Sequence, residues 1–257
     1  MIDKRRYALA RERSNNMLDR DDTIDKFLTD RFIEIILEQK KVFHNALIIG
    51  DKNNFTENKL NSIGIKNVTH VDILKKDTSI NFYLLNDDEK ISDIGTYDLI
   101  ISLSLINFLD DIPSFLKQAK NLLSNDGLIL LNFFSENSLL ELKEMFSSVE
   151  SELYNGISQR FMPVVDIRDI GDLMNNLGFS DTVVSRENLK YFYPNFKDML
   201  RHLRLMSCTN FLKVKQNKYI NKIFMNKLIT YFDKRKINNF FELNIEVLII
   251  NSWKKIN

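Results

Sequence analysis

Three short, almost wholly apolar runs constrain this chain most: ALIIG at residues 46–50, YDLIISLSL at 97–105 and LILLNFF at 128–134. Strands that are apolar on both faces are strands covered on both faces, which is the signature of a parallel sheet between helices. Stretches of helical period separate them. TIDKFLTDRFIEIILEQK (23–40) repeats apolar residues at Ile24, Phe27, Leu28, Phe32, Ile35 and Ile36, with Thr23 or Asp22 as cap. TENKLNSIG (56–64) reads as a short helix closed by Gly64, and DDIPSFLKQAKNLLSNDG (110–127) as a helix with Pro113 near its start and Gly127 past its end. NVTHVDI (67–73) and INFYLL (80–85) supply two further strands.

After residue 135 the pattern changes. Helices are expected over 138–150, 166–179 (ending at Gly178), 194–206 and 217–236, with strands at 182–193 and 239–255. Strand and helix alternate through the first half, so the order predicts a doubly wound α/β sheet that closes on an antiparallel strand.

Composition excludes several function classes. The net charge of +1 gives no global reason to expect nucleic acid as a partner. The single cysteine, Cys208, allows no internal disulfide. With His44, His70 and His202 it forms no recognisable metal-ligand spacing, so no metal is expected. No apolar stretch reaches the ~18 residues of a membrane span, so no stable membrane insertion is expected. The basic start, MIDKRRYALARERSN, carries Asp3 and Glu12 and reads as part of the mature protein rather than a transit peptide.

The carboxyl ends of the apolar strands are where an α/β sheet presents a ligand site. Gly50 and Asp51 end the first strand, Asp72 and Ile73 the second, Asn86 and Asp87 follow the third, and Ser102 lies on the fourth. A carboxylate at Asp72 suits a diol, since it accepts two hydroxyl hydrogens at once. After Gly50 the chain reads Asp51-Lys52-Asn53-Asn54, with no second glycine; Asn53 and Asn54 are the residues there most tolerant of a left-handed turn. Asn107 and Glu136 are weak catalytic candidates, and Arg160 with Asp166 reads as a surface ion pair. The basic stretch from Lys213 to Lys236 reads as an amphipathic helix whose core face is Ile220, Ile223, Phe224 and Leu228.

Taken in order, DKRRYALARERSN, ALIIG, NDDEKI, YDLIISLSLINFLDDIP, LLSNDGLILLNFF, SLLELK, SQRFMPVVDIRDIGDLMNNLGF, CTNFL and INSWKK resemble class I S-adenosylmethionine-dependent methyltransferases. The nearer likeness is to the branch of the mitochondrial complex I assembly factor, methyltransferase-like and described as a protein arginine hydroxylase, and its bacterial relatives. Carrier-protein O-methyltransferases are looser cousins.

The resemblance implies a Rossmann-like, mostly parallel seven-stranded sheet with an antiparallel last strand. Residues 1–40 would be an N-terminal helical extension and 41–257 the methyltransferase-like domain, with a helical insertion at about 194–236. It implies S-adenosylmethionine as cofactor, held by Gly50, Asp51, Asp72, Ile73, Asn86, Asp87 and Ser102, with Asp72 on the ribose and Asp87 at the adenine amino group. It also implies a protein substrate, such as a complex I subunit, and a bacterial cytoplasmic or mitochondrial matrix location. The family writes Asp-Leu-Gly-x-Gly-x-Gly where this chain has Ile48-Ile49-Gly50-Asp51-Lys52-Asn53-Asn54, and relatives often have His-Trp at Asn107-Phe108. Methyl transfer, arginine hydroxylation and an inert scaffold therefore all stand as readings of the sequence.

Overall fold

The structure is a computed structural model that describes residues 2–15, 24–51, 54–74, 81–86, 89–91, 93–207, 209–213 and 220–255. The strands are β1 (Asn45–Ile49), β2 (Asn67–Asp72), β3 (Phe82–Leu84), β4 (Tyr97–Ser102), β5 (Leu123–Phe134), β6 (Ser180–Tyr193) and β7 (Phe241–Lys254). They form one seven-stranded sheet in the order β3-β2-β1-β4-β5-β7-β6. Pairings are parallel from β3 through β5, and β7 runs antiparallel to both β5 and β6. The chain builds outward from β1 to β3, then returns to place β4 on the other side of β1. In a doubly wound sheet such a reversal marks the place of a ligand crevice, here at the carboxyl edge between β1 and β4.

Among the described residues, eight helices accompany the sheet: α1 (Lys4–Asn15), α2 (Ile24–Glu38), α3 (Phe55–Ser62), α4 (Ile112–Leu122), α5 (Leu140–Tyr154), α6 (Ile167–Asn176), α7 (Phe196–Leu205) and α8 (Lys222–Lys234). Because β1, β4 and β5 are apolar on both faces, a core forms on each side. Ile48, Leu99, Ile101 and Leu130 meet α2, α5, α7 and α8 on one face, and Leu47, Ile49, Ile100 and Ile129 meet α4 and α6 on the other. Gly64 (φ +95°) and Gly178 (φ +75°) adopt the left-handed conformation that ends a helix, as their spacing predicts.

Three expectations change. The helix expected over 110–127 stops at Leu122, and β5 begins at once. Between the pairs Tyr97–Leu123 and Leu99–Leu128, β5 takes five residues against its partner's two. A Cβ on Gly127 would lie 2.6 Å from the Leu123 Cγ, so this glycine serves a bulge rather than a helix end. The strand expected over 97–105 stops at Ser102, because the Asn132 side chain takes the Ser104 N–H (2.8 Å) and Ser104 turns left-handed (φ +56°). A 3-10 turn, Leu105–Phe108, follows. In α8 the buried stripe is Phe224, Leu228 and Phe232, while Ile223 faces out, 61% exposed. The helix starts only at Lys222, capped by the Asn221 side chain on the Phe224 N–H (2.8 Å), which sets that rotation.

Candidate functional site

The crevice is built from strand ends. Gly50 (φ +90°) leaves β1, and a Cβ there would stand 2.6 Å from the Leu103 carbonyl oxygen and 2.8 Å from the Leu105 Cβ. Only glycine allows that approach of β1's exit to β4. Asp51 is buried and its Oδ2 accepts the Glu57 N–H at 3.3 Å, near the start of α3. Asn54 takes the left-handed conformation (φ +55°) that the loop sequence suggests. Asp72 ends β2 and is only 2% exposed.

The Asp72 carboxylate is already engaged. Its Oδ1 accepts the Leu74 N–H at 3.2 Å, and its Oδ2 accepts the guanidinium of Arg11, which comes from α1. The same Arg11 Nη2 donates to the Gly50 carbonyl (3.1 Å), and Nη1 donates to the Tyr7 hydroxyl (3.4 Å). Arg11 is 1% exposed. Burial opposes its charge, but the Asp72 carboxylate and the other neighbours outweigh that and hold the guanidinium above its ordinary range. Burial likewise raises the Tyr7 phenol well above its ordinary value, with Arg11 partly offsetting it. The Arg11 Nε is buried with no hydrogen-bond partner among the described residues.

Helix α1 is strapped over the carboxyl edge at several points. The Ile2 N–H donates to the Asp110 carboxylate (2.8 Å), the Asp3 N–H to the Phe211 carbonyl (2.6 Å), and Lys4 pairs with Glu89 at 2.9 Å. Glu89 in turn accepts the N–H groups of Asp110 and Asp111. Tyr7 stacks on Phe108 with ring centroids 4.0 Å apart.

Beyond that stack lies a cavity of about 380 Å³. Phe108, Phe134, Leu142, Phe146, Phe161 and Leu203 give it apolar walls. Arg6, Lys143, Arg160 and Arg204 also line it, and no carboxylate does among the described residues. Arg160 lies over the Phe224 ring (5.1 Å to the centroid), and its Nε donates to the buried Glu150 at 2.6 Å. Lys143 donates to the Glu136 carbonyl at 2.9 Å; burial lowers its pKa, with the Glu136 charge partly offsetting that.

The structure brings Gly50, Asp51, Asp72 and Ser102 to one edge. Ser102 is fully buried, and its Oγ has no partner among the described residues. Ile73 is half-buried beside Asp72, and Asn86 is exposed after β3. Lys52, Asn53, Asp87 and Cys208 lie outside the described residues. Asn107 lines the cavity, but its amide is held by the main chain. Nδ2 donates to the Ser104 (3.0 Å) and Asn132 (3.2 Å) carbonyls, and Oδ1 accepts the Phe134 N–H (2.9 Å). It braces β4 to β5. Glu136 is exposed and does not line the cavity. The expected Arg160–Asp166 surface pair is corrected: Arg160 is buried on Glu150, and Asp166 caps α6 through the Arg168 N–H. Sequence reasoning missed Tyr7, Arg11 and the cationic lining of the cavity. Among the described residues, no group of three His, Cys, Asp or Glu side chains is placed to hold a metal ion, and no helix is long and apolar enough to cross a membrane.

A family model for the methyltransferase domain matches residues 29–184. The mitochondrial arginine-hydroxylase NDUFAF5 of Dictyostelium discoideum is 25% identical over 180 residues, which are 69% of this chain and 41% of that protein. The putative methyltransferase RP459 of Rickettsia prowazekii is 27% identical over 171 residues, 65% of this chain and 72% of that one. This chain thus spans about two fifths of the Dictyostelium protein's length. Among solved structures, the YcgJ protein of Bacillus subtilis superposes with a TM-score of 0.58 at 12% identity, covering 90% of this chain and 99% of its own, a likeness of fold. The family match covers more than half of the sequence and the strand order agrees with it, so the chain belongs to the methyltransferase-domain family.

Proposed function

We propose that the crevice between β1 and β4 binds S-adenosylmethionine and that the cavity behind the Tyr7–Phe108 stack receives the methyl acceptor. The observation that carries this is Asp72: a buried carboxylate at the end of β2, beside the strand-order reversal, held by a side chain rather than by main chain on its outer oxygen. When bound, the cofactor would supply an electrophilic methyl group on a sulfonium centre. The residues fit on two counts. Gly50 keeps β1's exit tight against β4, leaving the edge free of a side chain there. The orphaned Nε of Arg11 marks an imperfect closure, since an unmade buried hydrogen bond costs about 1–3 kcal/mol.

Arg11 and the ribose would compete for the same carboxylate. A guanidinium fixed beside the site would also oppose the charge of a sulfonium. Binding therefore requires Arg11 to withdraw from Asp72. Catalysis in such a site is mostly positioning, with the acceptor held in line and water kept out. Asn107, fixed by three hydrogen bonds, would shape that boundary rather than move a proton.

A thermal-shift titration with S-adenosylmethionine and its demethylated product tests this. Ligand at ~100 times its dissociation constant should stabilise by about 2.7 kcal/mol, and Asp72→Ala should abolish the shift. No shift at millimolar ligand would leave an inert scaffold as the better account.

A second reading is arginine hydroxylation of a protein partner such as a complex I subunit. It is favoured by the name of several curated relatives, arginine-hydroxylase NDUFAF5. Its test is a +16 Da arginine on a co-purifying subunit, absent when the gene is deleted.

A further inference from the structure

We propose that the cavity selects a small amphipathic anion, a carboxylate on an aliphatic or aromatic body, and discriminates against a cationic side chain such as arginine. This rests on the cavity being the acceptor's entrance, as proposed above. Its walls are aromatic and aliphatic, and about 380 Å³ holds a body of modest size. The charged part of its lining, among the described residues, is cationic: Arg6 from α1, Lys143 from α5, Arg160 before α6 and Arg204 at the end of α7.

The four cations are not equivalent. Arg160 faces Glu150 across a buried pair, which neutralises it and leaves its face to pack on Phe224 and Phe146. Arg6 and Lys143 donate instead to main-chain carbonyls, of Asn210 (3.4 Å) and Glu136 (2.9 Å). Such bonds hold a charged head in place, and the Glu136 charge answers that of Lys143 only in part. Arg204 stands exposed on the last turn of α7. A carboxylate entering between Arg6, Lys143 and Arg204 gains charge-assisted bonds while its body covers Leu142 and Phe146. A guanidinium in the same place meets like charge, with no acid among the described lining residues to answer it.

Calorimetric titration of the full chain with 4-phenylbutyrate, 3-phenylpropanol and 3-phenylpropylguanidine isolates the head group on one common phenylpropyl body. The carboxylate is expected to bind about tenfold tighter than the alcohol, and the guanidine more weakly than either. Lys143→Gln combined with Arg204→Gln should bring the carboxylate down to the alcohol's affinity while the alcohol's own affinity holds, which reports an intact fold. Lys190→Gln, on the outer strand β6 and paired with Glu242, should change none of the three. Guanidine binding that equals carboxylate binding would overturn the proposal. So would a preference that survives the double substitution, or no binding of any probe at about 5 mM. Titration of the same samples with S-adenosylmethionine separates the two ideas: anion preference without cofactor binding sinks only the cofactor assignment.

Discussion

Arg11 of the crevice hydrogen-bonds Tyr7, whose ring stacks on Phe108 in the cavity lining, yet the crevice and the cavity handle charge in opposite ways. In the crevice one cation and one carboxylate close on each other, both nearly inaccessible, and among the described residues the Arg11 Nε and the Ser102 Oγ are left without a partner. In the cavity the cations outnumber the acids that answer them, and Glu150 answers only Arg160. A closed pair stores its binding capacity in a contact that must break before a ligand enters. An open cationic lining offers that capacity at once. One helix, α1, serves both regions, with Arg6 turned to the cavity and Arg11 to the crevice.

The largest effect should come from breaking the crevice pair on one side. Arg11→Met leaves a buried carboxylate uncompensated and should cost about 3–5 kcal/mol by chemical denaturation. Adding Asp72→Leu should recover most of that loss, because both charges then leave together. If the single change costs under about 1 kcal/mol, the crevice is not closed by this pair in solution, and its contrast with the cavity is gone. Arg160→Met is the matching break at the cavity. Glu150 is 1% exposed in its side chain, so about 3 kcal/mol is expected, with the affinity for 4-phenylbutyrate little changed because that cation is already answered. A large loss of anion affinity would instead place Arg160 among the working cations.

The two regions were also unequally legible. Strand ends are local: the apolar run 45–49 matches β1, so Gly50 follows from where that strand stops, and Asp72 lies within a residue of the end expected for β2, whereas β4 stops three residues short of its apolar run, at Ser102. Arg11 was hidden because α1 carries no apolar stripe, and an arginine on such a helix reads as solvated. Its burial is decided by Asp72, 61 residues away. The cavity lining runs from Arg6 to Ile245, so no window of sequence contains it. Gly127 misled for a related reason: a glycine after a helical run resembles a helix end, whereas the bulge it serves is set by pairing with β4. Asn132 was invisible inside an apolar strand, although its side chain stops β4 and thereby forms the turn that carries Asn107 and Phe108.

Smaller effects probe the boundary between the regions. Gly50→Ala forces a Cβ onto the Leu103 carbonyl in a left-handed conformation and should cost about 2 kcal/mol, with cofactor binding falling along with stability. Asn107→Ala removes the acceptor of the Phe134 N–H and the donor to two carbonyls, for a loss of about 1–2 kcal/mol. If Asn107→Ala keeps its stability but loses turnover on an acceptor, the side chain acts on substrate rather than as a brace.

The finest distinction concerns Lys143, the one lysine among the described residues of the cavity lining. Burial disfavours its charged form, and Glu136 offsets this only in part, so its proton leaves at lower pH than that of an ordinary lysine. Affinity for 4-phenylbutyrate should therefore decline with rising pH before an exposed lysine, with a pKa of about 10.4, would titrate. Half-exposed charge is screened, so a loss of about fivefold is expected rather than a collapse. Lys143→Gln should bind more weakly at neutral pH and show no such decline. A decline that persists in Lys143→Gln would trace the pH dependence to another group, and with it the claim that this ammonium meets the anion would fall.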